Sequence, residues 1–246
     1  MSVSKHWESE AERFAAWARK PGHDSYWTES GPPFFELLPT PGRRTLDLGC
    51  GEGRVARDLR ARGHTVTGID AAPTMIRLAR EADPDGDYVV ADAAALPFDG
   101  RTFDLAVAFN SLMDIDDMPG AVAETSRVLE PGGSFCVCIT HPTRDAGSFD
   151  APGPHARFVI DQPYLEKRRF EMKVARDGLE VHFKSWAYPL EHYMRAFEEA
   201  GFLVEGLREP ADPGRPFPNF LLLRAVKRRE AQAPSPWFAP SLPPRR

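Results

Sequence analysis

The chain has 246 residues and a formal net charge of −5, enough length for one substantial core with room for an inserted cap. The acidic balance argues against a general nucleic-acid binder, and no apolar stretch approaches the length of a membrane span. The opening Met1-Ser2-Val3-Ser4-Lys5-His6-Trp7-Glu8 lacks the apolar run of a secretory signal. Cys50, Cys136 and Cys138 give an odd count without metal-ligand spacing. Cys136 and Cys138 lie two apart on one predicted strand and so share a face, as small core residues of a reducing compartment would. A cytoplasmic protein is expected.

Residues 4 to 20 read as a helix in which Trp7, Ala11, Phe14 and Ala18 repeat at helical spacing, a packing stripe. Pro21-Gly22 ends it, Tyr26 and Trp27 follow in a loop, and Pro32-Pro33 opens a short helix through Leu38. Residues 1–40 are thus an expected helical lid segment. From Arg44 onward, strands near 44–48, 65–69, 87–91, 103–109 and 134–140 alternate with helices near 53–62, 73–82 and 119–129. Apolar strands alternating with helices imply a parallel sheet covered on both faces, a core spanning 41–142.

The pattern breaks after Ile139-Thr140-His141-Pro142. Residues 143–186 contain no crossover helix; Arg169–Arg176 and Leu179–Trp186 alternate as strands around Asp177-Gly178, a good hairpin turn. This segment is expected to be a substrate cap inserted after strand five. Residues 187–228 resume the core with a helix from Pro189 to Ala200 closed by Gly201, a strand near 202–208 and a last strand from Asn219 to Val226. The Pro-rich link Glu209–Pro218 is too short for a crossover, so the last strand should run antiparallel. The expected fold is a doubly wound, seven-stranded α/β sheet, followed by a Pro/Arg-rich tail, 229–246, that reads as loosely ordered.

Three strand ends concentrate the chemistry. Thr45-Leu46-Asp47-Leu48 breaks into Gly49-Cys50-Gly51-Glu52-Gly53, a turn whose glycines permit positive φ and close approach to a ligand. Asp70 ends the second strand, where a carboxylate can accept ribose hydroxyls, and Asp92 ends the third. A dinucleotide fingerprint would place its third glycine at Arg54; here it comes one residue early, at Gly53. Asp47 and Glu52 would repel a diphosphate but suit a ligand carrying an ammonium and a sulfonium.

These residues resemble the class I S-adenosylmethionine-dependent methyltransferases, especially their small-molecule branch. The acid-x-Gly-x-Gly-x-Gly motif matches Asp47 to Gly53, the ribose acid matches Asp70, and Asp92-Ala93 matches the adenine-binding pair. Leu129-Glu130-Pro131-Gly132-Gly133 matches the turn before strand five. The resemblance covers residues 40 to 140 most strongly. It implies a Rossmann-like sheet with one reversed strand and S-adenosylmethionine as cofactor. The cofactor residues it implies are Asp47, Gly49, Cys50, Gly51, Gly53, Asp70, Ala71, Asp92, Ala93 and Asn110, with Leu96 a further wall for the adenine.

His141, directly after strand five and stiffened by Pro142, is the first candidate for a general base. A histidine has a suitable pKa for taking a hydroxyl proton, and the alternative is a histidine hydrogen-bonded to the cap. Tyr26, His155 and Tyr193 are weaker candidates for that role. Tyr26, Trp27, His155, Phe158, Trp186, Tyr193 and Phe217 are expected around the substrate, implying a flat or apolar acceptor. Asn110-Ser111-Leu112-Met113 lacks the Pro-Pro-aromatic run of adenine-amino methyltransferases, and no cysteine stands here for cytosine-C5 chemistry. Asp114, Asp116 and Asp117 read as solvated or helix-capping acids and no metal site is expected. The expected activity is methyl transfer to a small-molecule acceptor, with oxygen favoured. The partners foreseen include neither nucleic acid nor membrane, and the oligomeric state is open. The rival readings are a non-catalytic cofactor-binding protein, a protein or RNA methyltransferase, and a nicotinamide oxidoreductase, the last disfavoured by Asp47 and Arg54.

Overall fold

A computed structural model describes residues 2–153, 155–211 and 217–229. Short apolar runs become strands buried from both sides. They are β1 (Thr45–Leu48), β2 (Val66–Asp70), β3 (Asp87–Val90), β4 (Phe103–Phe109) and β5 (Leu129–Thr140). Two of the helices between them start where the sequence supplies a side-chain cap or a proline. Pro73 opens α4 (Pro73–Ala82), and Asp117 accepts the Gly120 N–H at 3.0 Å to cap α5 (Met118–Val128). Upstream lie α1 (Val3–Ala18), capped by Ser2, then α2 (Gly31–Leu37) and α3 (Arg54–Ala61).

After β5 come β6 (Gly147–Phe149), β7 (Phe158–Ile160), β8 (Arg168–Arg176), β9 (Leu179–Ala187), α6 (Leu190–Glu199), β10 (Phe202–Arg208) and β11 (Phe220–Lys227). The main sheet has seven strands in the order β10-β11-β5-β4-β1-β2-β3. β1 pairs parallel with both β2 and β4, while β11 runs antiparallel to β5 and β10. The expected doubly wound α/β sheet with a reversed last strand is what folds. Strand order reverses between β1 and β4, so the ligand crevice of such a sheet lies beyond their C-terminal ends.

Two cores flank the sheet. One packs Phe135, Val137 and Leu223 against α5 and α6 through Met118, Val122 and Phe197; the other packs Val107, Cys136 and Cys138 against α3 and α4 through Val55, Leu59 and Ile76. Cys136 and Cys138 therefore do share a face, and both are free thiols.

Several local expectations change. Residues Tyr26–Ser30 form a π-helical turn instead of a loop. β5 begins at Leu129, so the glycine pair Gly132-Gly133 lies within the strand, which loses register against β4 between Phe103 and Leu105. The segment after β5 holds two hairpins, β6–β7 as well as β8–β9, where the sequence shows only the longer one. β6 and β7 are three residues each, too short for alternation to be read. The segment expected as a tail lies, from residue 230 on, outside the described residues.

The long hairpin is placed by its turn and its inner face. Asp177 and Gly178 take φ of 50° and 78°, the left-handed pair that a two-residue hairpin turn requires. Asp177 Oδ2 lies 3.6 Å from His23 Nε2 and 3.8 Å from Lys20 Nζ, and Arg176 donates to the Gly22 carbonyl. α1 is thereby clasped: Ala11 and Ala15 face Ala72, Met75 and Leu78, while Trp7 and Phe14 meet Phe183 of β9.

Candidate active site

A cavity of about 560 Å³ opens at the C-terminal ends of β1, β2 and β4, roofed by α1 and the β8–β9 hairpin. That size suits a small organic ligand. Its floor contains Gly49, Cys50 and Gly51, its flank Asp70, Ala71, Asp92 and Ala93, and its far edge Asn110. Of the expected cofactor residues, Asp47, Gly53 and the adenine wall Leu96 do not line it; Leu96 is buried in the core.

The floor is shaped by two glycines. Gly49 has φ +70°, and a Cβ there would lie 2.6 Å from the Ser111 Cβ; Ser111 in turn donates to the Leu48 carbonyl at 2.5 Å. Gly51 has φ +55°, and a Cβ there would make only an ordinary contact with Phe14 Cε1 at 3.8 Å. Gly53 serves packing instead, lying against the Tyr88 hydroxyl. Asn110 adopts φ 50°, a conformation that asparagine tolerates better than most residues. Its N–H donates to the Cys138 carbonyl at 2.8 Å.

The carboxylates divide by what holds them. Asp70 Oδ2 accepts the Gly51 N–H and Oδ1 the Ala72 N–H, both at 2.9 Å, so it ties the glycine turn to the end of β2. Burial still pushes its pKa up to about 6. Asp47 is buried beneath the turn with Oδ2 lacking any hydrogen bond, and burial followed by the charge of Asp70 raises it to about 7. Glu52 is committed elsewhere, taking Arg19 Nε at 2.8 Å and Arg57 Nη2 at 2.9 Å. Asp92 is exposed and accepts the Ala94 N–H at 2.9 Å.

The acceptor end is built from residues the sequence reading set aside. Phe170, Met172 and Val174 alternate along the inner face of β8 opposite Phe183 and Ser185 of β9, and Trp7 and Phe14 descend from α1, while Trp17 packs on His23 at 4.8 Å. The α1 stripe is therefore shared: Ala11 packs against α4, while Trp7, Phe14 and Ala18 line the cavity. The signal was present in the period-two pattern of β8, but both hairpin faces alternate, and only docking on α1 selects one.

Asp114 and Asp145 also line this end. Asp114 Oδ1 accepts the Ser185 hydroxyl at 2.7 Å, and burial raises its pKa to about 7. Trp7's indole N–H, without a hydrogen-bond partner of its own, sits close enough to lower that pKa somewhat. Asp145 Oδ2 accepts the Thr140 hydroxyl at 3.0 Å, and burial raises this group to about 6. Asp116 is spent on Trp186 Nε1 at 2.9 Å and the Val3 N–H at 3.0 Å. Asp117 caps α5.

His141 follows β5 as expected, but it does not line the cavity. Its Nε2 lies 2.9 Å from Glu209 Oε1 and its Nδ1 accepts the Thr143 N–H at 3.2 Å. Both ring nitrogens are occupied, and the ring packs on Phe217. A general base needs a free nitrogen facing the acceptor, and this histidine offers none.

The expected substrate residues also scatter. Tyr26 alone lines the cavity, its hydroxyl donating to Asp58 Oδ2 at 2.6 Å and its ring under Arg54. Trp27 and His155 are exposed away from it, and Phe158 stacks on Phe217 at 4.5 Å. Trp186 is on the outer hairpin face beneath Arg169, and Tyr193 is core. His23, which no sequence motif marks, lines the cavity, buried, with neither ring nitrogen hydrogen-bonded and Asp177 Oδ2 3.6 Å from Nε2. Among the described residues, no group of three His, Cys, Asp or Glu is arranged to hold a metal, and no helix is long and apolar enough to cross a membrane.

Comparison with known proteins agrees with this geometry. A family profile described as a methyltransferase domain matches residues 46–137. The chain is similar to the aklanonic acid methyltransferase DauC of Streptomyces sp. (strain C5), 34% identical over 187 residues that cover 72% of this chain and 83% of that one. It is also similar to the demethylmenaquinone methyltransferase of Tropheryma whipplei (strain Twist), 28% identical with 73% of each covered. A crystal structure of an S-adenosylmethionine-dependent methyltransferase from Mesorhizobium loti superposes with a TM-score of 0.65 at 28% identity, covering 83% of this chain and 98% of that one.

Proposed function

Because this chain belongs to the class I S-adenosylmethionine-dependent methyltransferases, we propose that it methylates a small, largely apolar acceptor enclosed between α1 and the β8–β9 hairpin. The observation that carries this reading is the single cavity running from the glycine turn to the aromatic inner face of the hairpin. Relatives named for aklanonic acid and demethylmenaquinone support a small-molecule acceptor of this kind. Residues 143–186 act as the substrate cap and α1 as a lid in this reading.

The residues present fit the cofactor. Its cationic end suits a floor under which Asp47 keeps an unpaired buried oxygen, and Gly51, with φ +55° and no side chain, lets the chain's backbone meet it directly. In this reading Asp70 and Asp92 take the ribose and adenine, with Ala71 and Ala93 as apolar walls. The cofactor's carboxylate needs a cation or N–H donor. Arg54 and His23 are the cation-capable lining residues among those described, and Arg54 is already paired with Asp24 at 2.7 Å. His23 carries no hydrogen bond, its Nε2 standing 3.6 Å from Asp177 Oδ2, so of the two it is the one we assign to receive it. When bound, S-adenosylmethionine supplies a methyl group activated by an adjacent positive sulfur. The chain's own task is to align an acceptor, exclude water and remove a proton.

Oxygen remains the favoured acceptor atom, since a hydroxyl uses a proton-accepting group and the cavity holds carboxylates with raised pKa. Titration with S-adenosylhomocysteine, followed by transfer of labelled methyl to a panel of apolar alcohols, phenols, amines and acids, tests the proposal. Cofactor binding with turnover on an apolar small molecule is expected. Cofactor binding without turnover on any class would favour the non-catalytic reading instead.

A further inference from the structure

We propose that Asp114 and Asp145 make the acceptor end a subsite for a neutral or cationic, proton-bearing nucleophile, a hydroxyl or an amine on an apolar body, and exclude carboxylates. This rests on the methyltransferase reading above and specifies the substrate class of the same site.

Charge sorts the cavity into two ends. Its cation-capable lining residues, Arg54 and His23, stand beside Asp24 and Tyr26 in the segment following α1. Asp114 and Asp145 stand at the other end, among the aromatic side chains of α1 and the hairpin. Neither is neutralised by a cation lining that end. Asp114 is bonded by the uncharged Ser185 hydroxyl of β9, and Asp145 by the Thr140 hydroxyl of β5. The groups that bear on Asp114 are Ser185 of β9, Trp7 of α1, Asp70 at the end of β2 and Asp145 after β5, none of them cationic. Arg144 and Arg168 bear on Asp145, but neither lines the cavity.

An anionic acceptor placed here would meet two carboxylates across apolar walls, where repulsion is screened little. A hydroxyl or ammonium would instead donate a hydrogen bond to them. Asp114 Oδ1 is held by Ser185, which leaves Oδ2 to take the proton. In the step itself, an acceptor held as ammonium first yields one proton to Asp114 and so frees its lone pair, whereas a hydroxyl already carries one; that lone pair forms a bond to the methyl carbon. The carbon–sulfur pair passes to sulfur, and a hydroxyl's proton passes to Asp114 as the bond forms. One positive and one negative charge disappear together, which a poorly solvated cavity favours. A carboxylate acceptor brings no proton, so it would have no use for Asp114 and would be repelled by it.

The test uses the full chain saturated with S-adenosylhomocysteine and three probes sharing one ring system: naphthylmethylamine, naphthylmethanol and naphthoate. By calorimetry at about pH 8, above the raised pKa of Asp114 and Asp145, the amine and alcohol should bind at least about tenfold tighter than naphthoate. Asp114→Asn and Asp145→Asn should each narrow that gap, and naphthoate binding to wild type should strengthen as pH falls toward 6. If Asp114→Asn fails to fold by circular dichroism, Asp145→Asn and the wild-type pH series decide. Naphthoate binding as tightly as the amine, no binding by any probe, or a gap unchanged in a folded variant would overturn the proposal. Failure of S-adenosylhomocysteine itself to bind would instead overturn the methyltransferase reading beneath it.

Discussion

Asp70 and His141 show how a side chain's role is decided by what occupies its polar atoms. Asp70 spends both oxygens on backbone N–H groups of the cofactor turn and of Ala72, so it holds the turn as well as facing the cavity. His141 spends both nitrogens on Glu209 and Thr143, which makes it a clasp between the end of β5 and the segment after β10. His141→Ala should therefore cost about 1 kcal/mol in urea unfolding, as befits lost hydrogen bonds to a half-exposed partner. Turnover should fall less than about tenfold, far below the loss of a general base. A drop of a hundredfold or more with unchanged stability would return His141 to the chemistry. Position along the chain pointed to His141 because it sits at a strand end. Which way its ring turns depends on Glu209, 68 residues later, and no local pattern encodes that.

At the scale of elements, the β8–β9 hairpin and α1 form the acceptor wall jointly. The hairpin was legible from its alternation and its Asp177-Gly178 turn, because both signals are local. Its orientation was not, since Phe170, Met172 and Phe183 on one face compete with Trp186 on the other. Arg169 and Lys167 covering Trp186 on the outside settle the matter. Phe183→Ala should accordingly raise the acceptor KM by about tenfold, the loss of one aromatic contact, and leave the S-adenosylhomocysteine Kd within about threefold. A matched loss of both affinities would place Phe183 over the cofactor instead. Trp186→Ala makes the comparison on the opposite face and should leave the acceptor KM near wild type.

The whole molecule carries a cluster of carboxylates whose folded pKa exceeds the ordinary value of 3.8: Asp47 and Asp114 near 7, Asp70 and Asp145 near 6, each raised first by burial. Below about pH 4 these groups are protonated in folded and unfolded chains alike, and they cost nothing. As pH rises toward 7 the unfolded chain ionises them first, so the folded chain binds more protons and their contribution turns against folding. The ligand-free protein should therefore lose stability from these groups between about pH 4 and 7. In Asp114→Asn the decline in Tm across that window should be shallower, by about 2–4 °C for each kcal/mol relieved. A slope identical to wild type, measured by scanning calorimetry, would mean that Asp114 is solvated. S-adenosylmethionine, bringing positive charge to the cavity, should recover part of the stability lost near neutral pH.

Local pattern was enough for the alternation of strands and helices, the reversed last strand, the glycine turn and the acids ending the two strands after it. Each is written within a few residues, as an apolar period, a proline or glycine stop, or a link too short to cross the sheet. Only the tertiary structure decided the acceptor end. Trp7, Phe183, Asp114 and Asp145 come from four separated segments, and they meet because α1 and the hairpin fold over the edges of β4 and β5. Side-chain direction in that meeting follows from long-range packing, which leaves no periodicity in the chain to read.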